Sequence, residues 1–116
     1  ECRTGNYHVC RHSNAAFVGI ASDGGFAEFC VTEADKLHLL PDNVSMEEGA
    51  LVEPTAVAYH GIIESGLQLG QTVLVTGAGP IGLLTVQCAL AAGATKIFVS
   101  DVSERKRWAQ PIRSIL

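Results

Sequence analysis

Residues 71–101 constrain this chain more than any other stretch. An apolar run, Val73-Leu74-Val75, leads into Gly77-Ala78-Gly79-Pro80-Ile81-Gly82; the segment from Leu83 to Ala92 follows, and a second apolar run spans Ile97 to Val99. The pattern predicts a strand, a glycine turn, a helix and a second strand. Each glycine of the turn has a separate task. Gly77 permits the tight turn off the strand, Gly79 lets backbone approach a pyrophosphate, and Gly82 lets the helix pack closely on the sheet. Phosphates would then rest on the helix N-terminus. Asp101 follows Gly82 by 19 residues, where a carboxylate can accept hydrogen bonds from adenosine ribose hydroxyls. A glycine-rich turn alone also occurs in other α/β proteins. The strand before it, the helix after it and the acid at this distance together predict dinucleotide binding.

A chain of 116 residues with 47% hydrophobic content can bury a core, and its length is that of a single domain. A dinucleotide fold needs about five or six strands, however. The chain opens at Glu1 and stops shortly after the second strand, so it is expected to be a fragment. The net charge of −4, with one short basic run at Arg105-Lys106-Arg107, argues against a nucleic-acid surface, which needs a patch of Lys and Arg. No apolar run approaches the roughly 18 residues of a membrane span, and no signal-peptide pattern opens the sequence. Four cysteines suit metal ligation and a reducing compartment better than a disulfide framework. A cytoplasmic location is expected.

Residues 1–14 are polar and irregular and read as a loop, with Cys2 and Cys10 separated by seven residues. Thiolate is the preferred ligand of a structural tetrahedral zinc, but such a site needs four ligands and this segment offers two; two unrelated loop cysteines remain the plainer reading. His8 and His12 read as exposed loop residues. Phe17 to Ile20 and Phe26 to Val31 are expected as strands around Ser22-Asp23-Gly24-Gly25, with Leu37 to Leu40 as a third. Cys30, inside one of them, reads as a small buried hydrophobe. Ser45 followed by Glu48 is a capping box opening a short helix. Glu53-Pro54 starts a second helix, with Pro at its first position and Val57, Ala58, Ile62 and Ile63 as its buried face, and Gly66 ends it. Glu53 by itself is explained by a favourable interaction with the helix dipole. His60 reads as a packing residue and Cys88 as core. Ser103 could cap a last helix that Pro111 would end or kink.

Taken together, these pieces resemble the zinc-dependent medium-chain alcohol dehydrogenases, in particular the branch of sorbitol, butanediol and threonine dehydrogenases. The matching residues are Cys2 to Cys10, Gly24-Gly25-Phe26-Ala27-Glu28-Phe29, Leu40 to Ser45, Glu48 to Pro54, and Gly77 to Gly82 with Asp101. Residues 110–116 depart from the pattern and lie outside the resemblance. The resemblance implies an α/β fragment that joins the end of a GroES-like, β-rich catalytic domain, residues 1–53, to the first half of a Rossmann dinucleotide-binding domain, residues 54–116. It makes Cys2 and Cys10 two of the four ligands of a structural zinc, in a lobe whose remnant is residues 1–14. Glu53 falls where this branch places a carboxylate beside a catalytic zinc, and carboxylate oxygen is a normal zinc ligand. The resemblance also makes Val57 and Ile81 candidates to pack on the nicotinamide ring, Pro80 part of the pyrophosphate turn, and Lys106 a partner of the adenosine ribose beside Asp101. Asp101 favours NAD, because its charge would repel the extra phosphate of NADP. The activity implied is oxidation of a polyol or secondary alcohol with NAD and zinc, by a homo-oligomer, dimer or tetramer, that binds neither nucleic acid nor membrane. Two alternatives stay open. One is L-threonine 3-dehydrogenase activity, since Cys2-Arg3-Thr4-Gly5-Asn6 is shared with those relatives; the other is a truncated, non-catalytic dinucleotide-binding protein.

Overall fold

The computed structural model describes Thr4, residues 9–11 and residues 17–103. The chain divides into two compact units, residues 1–39 and 40–116. The expectations for Cys2, His8, His12, Lys106 and the last helix lie outside the described residues.

In the first unit the described residues form a 3-10 turn at Ala34–Lys36 and an isolated bridge between Val18 and Ser22. The strands expected at 17–20, 26–31 and 37–40 do not form. Residues 17–22 are a turn instead: the amides of Ile20, Ala21 and Ser22 all donate to the Phe17 carbonyl, and Gly19 takes φ +84°, a conformation open to glycine at little cost. Phe26, Phe29 and Val31 are exposed. Aromatic and β-branched residues mark a segment that suits a pleated surface, but a strand forms only against a neighbour that takes up its backbone groups. Cys30 is correspondingly exposed rather than buried.

The second unit opens with α1, Met46–Gly49, whose capping box is complete: the Glu48 amide donates to Ser45 Oγ at 3.2 Å and the Ser45 amide to Glu48 Oε2 at 2.8 Å. Helix α2 spans Val52–Glu64. Pro54 is therefore its third residue, not its first, which costs nothing because the first four helical N–H groups have no intrahelical acceptor. Ser65 caps the far end, its hydroxyl donating to the Ile62 carbonyl at 2.7 Å, and Gly66 follows at φ +68°. The buried face of α2 is narrower than expected. Ala58 and Ile62 are buried, whereas Val57 and Ile63 are mostly exposed. Positions 58 and 62 are four apart and stack on one face; 57 and 63 lie about 100° to either side of it.

Strand β1, Thr72–Thr76, helix α3, Pro80–Ala91, and strand β2, Lys96–Ser100, complete the described unit. The two strands pair in parallel with Val73 opposite Ile97 and Thr76 opposite Ser100; parallel neighbours need a long crossover, which α3 supplies. Ile62, Ala89 and Ala94 form the core cluster, with Leu67, Val73, Cys88 and Ile97 packed on it, and Val86 is fully buried nearby in sequence on α3. Cys88 is half-buried at the edge of this cluster. At the end where both strands begin, Gly70 N–H donates to the Gly93 carbonyl and Thr95 N–H to the Gln71 carbonyl, tying the two strand starts together.

A groove between α2, β1 and α3

Because β1 is followed by Gly77 at φ +99°, the chain turns straight into α3, and the turn opens on the side where α2 runs. The result is a groove of about 660 Å³ with Val57, Ala58 and Gly61 of α2 on one wall, Val75 and Thr76 on its floor, and Gly77, Gly79, Pro80, Ile81 and Gly82 at the turn. Six of the residues singled out from the sequence, Val57, Gly77, Gly79, Pro80, Ile81 and Gly82, thus come together in one cleft. Val57 and Ile81 keep 52% and 46% of their surface exposed, so an apolar group entering the groove would cover both.

The glycines differ in what constrains them. A Cβ on Gly82 would overlap the Gly77 carbonyl oxygen, so that position packs the helix against the turn. A Cβ on Gly79 would meet no protein atom within 4 Å. The space beside Gly79 therefore belongs to no part of the described chain, as a turn that admits a phosphate group requires. Gly79 caps α3 and Pro80 opens it; the first intrahelical bond runs from Leu83 N–H to the Gly79 carbonyl at 2.9 Å. Ile81 and Gly82 precede that bond, and their N–H groups are the ordinary anion-facing donors of a helix start.

Asp101 follows β2 and does not line the groove. Its Oδ2 accepts the Ala78 N–H at 2.8 Å and its Oδ1 the Ser103 N–H at 2.8 Å. Ala78 is a member of the site that sequence reasoning misses. The signal for it lies in the βαβ pattern: with Thr76 opposite Ser100, the residues just beyond each strand must also be neighbours.

Glu53 is exposed, in the first turn of α2 and one turn before Val57 on the same helix face. It does not line the groove. Cys10 is a half-buried free thiol and His60 is exposed, as is His38. Among the described residues no three His, Cys, Asp or Glu side chains gather as a metal site would require. The described residues fit a dinucleotide at the groove; they do not by themselves fit a zinc ion. Among them, too, no helix is long and apolar enough to cross a membrane.

No family model matches the sequence. The chain is 42% identical over 106 residues to "Probable D-xylulose reductase A" of Aspergillus fumigatus, covering 90% of the chain and 29% of that protein. It is 43% identical over 102 residues to the (R,R)-butanediol dehydrogenase of Bacillus subtilis, covering 86% of the chain and 30% of the relative. It is 41% identical over 104 residues to the L-threonine 3-dehydrogenase of an Anaeromyxobacter strain, covering 90% and 29%. Among solved structures, one described as "a putative zinc-binding dehydrogenase" of Sinorhizobium meliloti bound to NADP superposes with a TM-score of 0.81 at 39% identity, over 91% of this chain and 30% of that one. The chain thus spans less than a third of the length of these relatives.

Proposed function

We propose that the chain is a segment of a zinc-type medium-chain alcohol dehydrogenase, like the relatives it matches, and that its groove holds the nicotinamide dinucleotide of an oxidoreductase acting on a polyol or secondary alcohol. The observation that carries this reading is the convergence of Val57, Ile81 and the Gly77 to Gly82 turn on one cleft, with Asp101 bonded to that turn. In this reading the Ile81 and Gly82 amides at the start of α3 hold the pyrophosphate, and Pro80 has no N–H to compete there. Gly79 keeps the approach clear. Val57 and Ile81 sandwich the nicotinamide from two elements and exclude water from it. Asp101, with Lys106, binds the adenosine ribose; a carboxylate that already accepts two N–H bonds still has lone pairs for hydroxyl donors. A bound nicotinamide would supply the hydride acceptor, and the chain's own contribution is to fix the ring's position and face.

NAD, rather than NADP, is the cofactor of this proposal, because the Asp101 charge disfavours a ribose phosphate beside it. The neighbour bound to NADP makes this a point to measure. Glu53, Cys2 and Cys10 are proposed as zinc ligands whose remaining partners come from outside the described residues, with residues 1–53 belonging to the catalytic domain and 54–116 to the cofactor domain. A cytoplasmic homo-oligomer is part of the same proposal. Formation of NADH by the full-length protein on sorbitol, 2,3-butanediol and threonine tests the substrate class. Turnover of threonine alone would select the L-threonine 3-dehydrogenase reading, to which the relative from Anaeromyxobacter lends support. No turnover on any secondary alcohol would leave only a non-catalytic dinucleotide-binding role.

A further inference from the structure

The geometry points to a second task for Asp101: it is a positioning residue that clasps the glycine turn in shape, independently of any contact with a ligand. The turn's first two amides are both held from the end of β2. Gly77 N–H donates to the Ser100 carbonyl at 2.6 Å, and Ala78 N–H donates to Asp101 Oδ2 at 2.8 Å. Ala78 is buried, at 8% exposure, so its amide has little water to turn to and an unmet donor there would be costly. A backbone ladder could not supply the second of these bonds, because β2 ends at Ser100; the side chain of the next residue extends the clamp by one position. Asp101 is itself steadied by the Ser103 N–H on its other oxygen at 2.8 Å. One carboxylate thereby links the turn after β1 to the segment after β2. The two bonds together fix the residues that lead from β1 into Gly79 and the start of α3.

The clasp is a property of the chain without ligand; only its consequence for cofactor binding rests on the dinucleotide reading. Amide hydrogen exchange on the full chain, with no nucleotide present, therefore tests it separately from that reading. In Asp101→Ala the Ala78 amide is expected to exchange at least about tenfold faster, while the Gly77 amide, bonded to Ser100, and Val86 in α3 keep their protection. Asp101→Asn is expected to restore most of the Ala78 protection. Its carbonyl oxygen can stand in for Oδ2 as the acceptor of the Ala78 amide, whereas its NH2 group cannot accept the Ser103 amide in place of Oδ1, and the buried Ala78 amide has more to lose than the half-buried Ser103. An unchanged Ala78 rate in Asp101→Ala overturns the proposal. Where that variant fails to fold, Asp101→Asn carries the test through its spectrum. Loss of the charged acceptor displaces the Ala78 amide proton resonance more than that of Gly77, and equal or absent displacement overturns the clasp. Failure of the protein to bind any nucleotide, with the Ala78 effects as stated, would overturn the cofactor reading and leave the clasp standing.

Discussion

Gly82 and Gly77 meet so closely that a Cβ on the first would overlap the carbonyl oxygen of the second. The neighbour in question is backbone just past the end of β1, not the tip of a flexible side chain, so relief requires α3 to move off the turn. Gly82→Ala is expected to destabilise the protein by about 1–3 kcal/mol, the usual cost of overpacking. A denaturant midpoint within error of the unmutated value would show that α3 can shift freely.

Gly79→Ala gives the opposite pairing of effects. Its φ of −80° suits any residue and the added Cβ meets nothing, so stability should change by no more than about 0.5 kcal/mol. Affinity for the dinucleotide should still fall, because the Cβ enters the space through which the pyrophosphate would approach. Titration of NAD against both glycine variants separates the two roles. Tight binding by Gly79→Ala would place the pyrophosphate elsewhere.

Cofactor preference should follow Asp101. The unmutated full-length protein is expected to favour NAD over NADP by at least about tenfold, or about 1.4 kcal/mol, and Asp101→Ser should narrow that ratio. Because Asp101 also bonds Ala78, the same variant should lose some efficiency with both cofactors. Equal kcat/KM for the two cofactors in the unmutated enzyme would mean that Arg105 or Lys106 neutralises the acid.

Ile62 tests the packing of α2 on the βαβ unit. It is 7% exposed and clusters with Ala89 and Ala94, so Ile62→Ala should cost about 2–5 kcal/mol. Ile63→Ala, one residue on but exposed, should cost far less. Comparable losses in thermal unfolding at the two positions would contradict the narrow buried face of α2.

Glu48 makes the start of α1 sensitive to acid. The Ser45 backbone N–H, and then the Ser45 hydroxyl, hold its carboxyl below the usual carboxylate range. With the folded pKa below the unfolded one, the contribution is fully present above the unfolded value and is lost as pH falls through the folded value. The Ser45 amide should therefore lose protection on acidification, and Glu48→Gln should remove that pH dependence. An identical acid profile in the two proteins would exclude the box as its source.

How much was legible in the sequence varied with the distance over which each feature is decided. The capping box at Ser45 and Glu48, the stop at Gly66 and the strand-turn-helix-strand order from Thr72 to Ser100 were readable because each depends on residues a few places apart. The groove was readable in part: the glycine spacing named the turn, but that Val57 of α2 lies across from Ile81 depends on how two helices pack, and Ala78 joined the site only through the parallel register that sets Asp101 beside it. The strands expected around Phe26 and Leu37 were misread for the complementary reason. Their apolar and aromatic residues describe a surface suited to a sheet, and no local signal states whether a partner strand is there to accept it. What the sequence determined by itself was therefore the local geometry of the turn, through glycines whose missing Cβ is a property of single residues. Which apolar side chains are buried, which carboxylate meets which amide, and where the cleft opens were decided only by the tertiary structure, because burial and hydrogen-bond pairing arise between segments far apart in the chain.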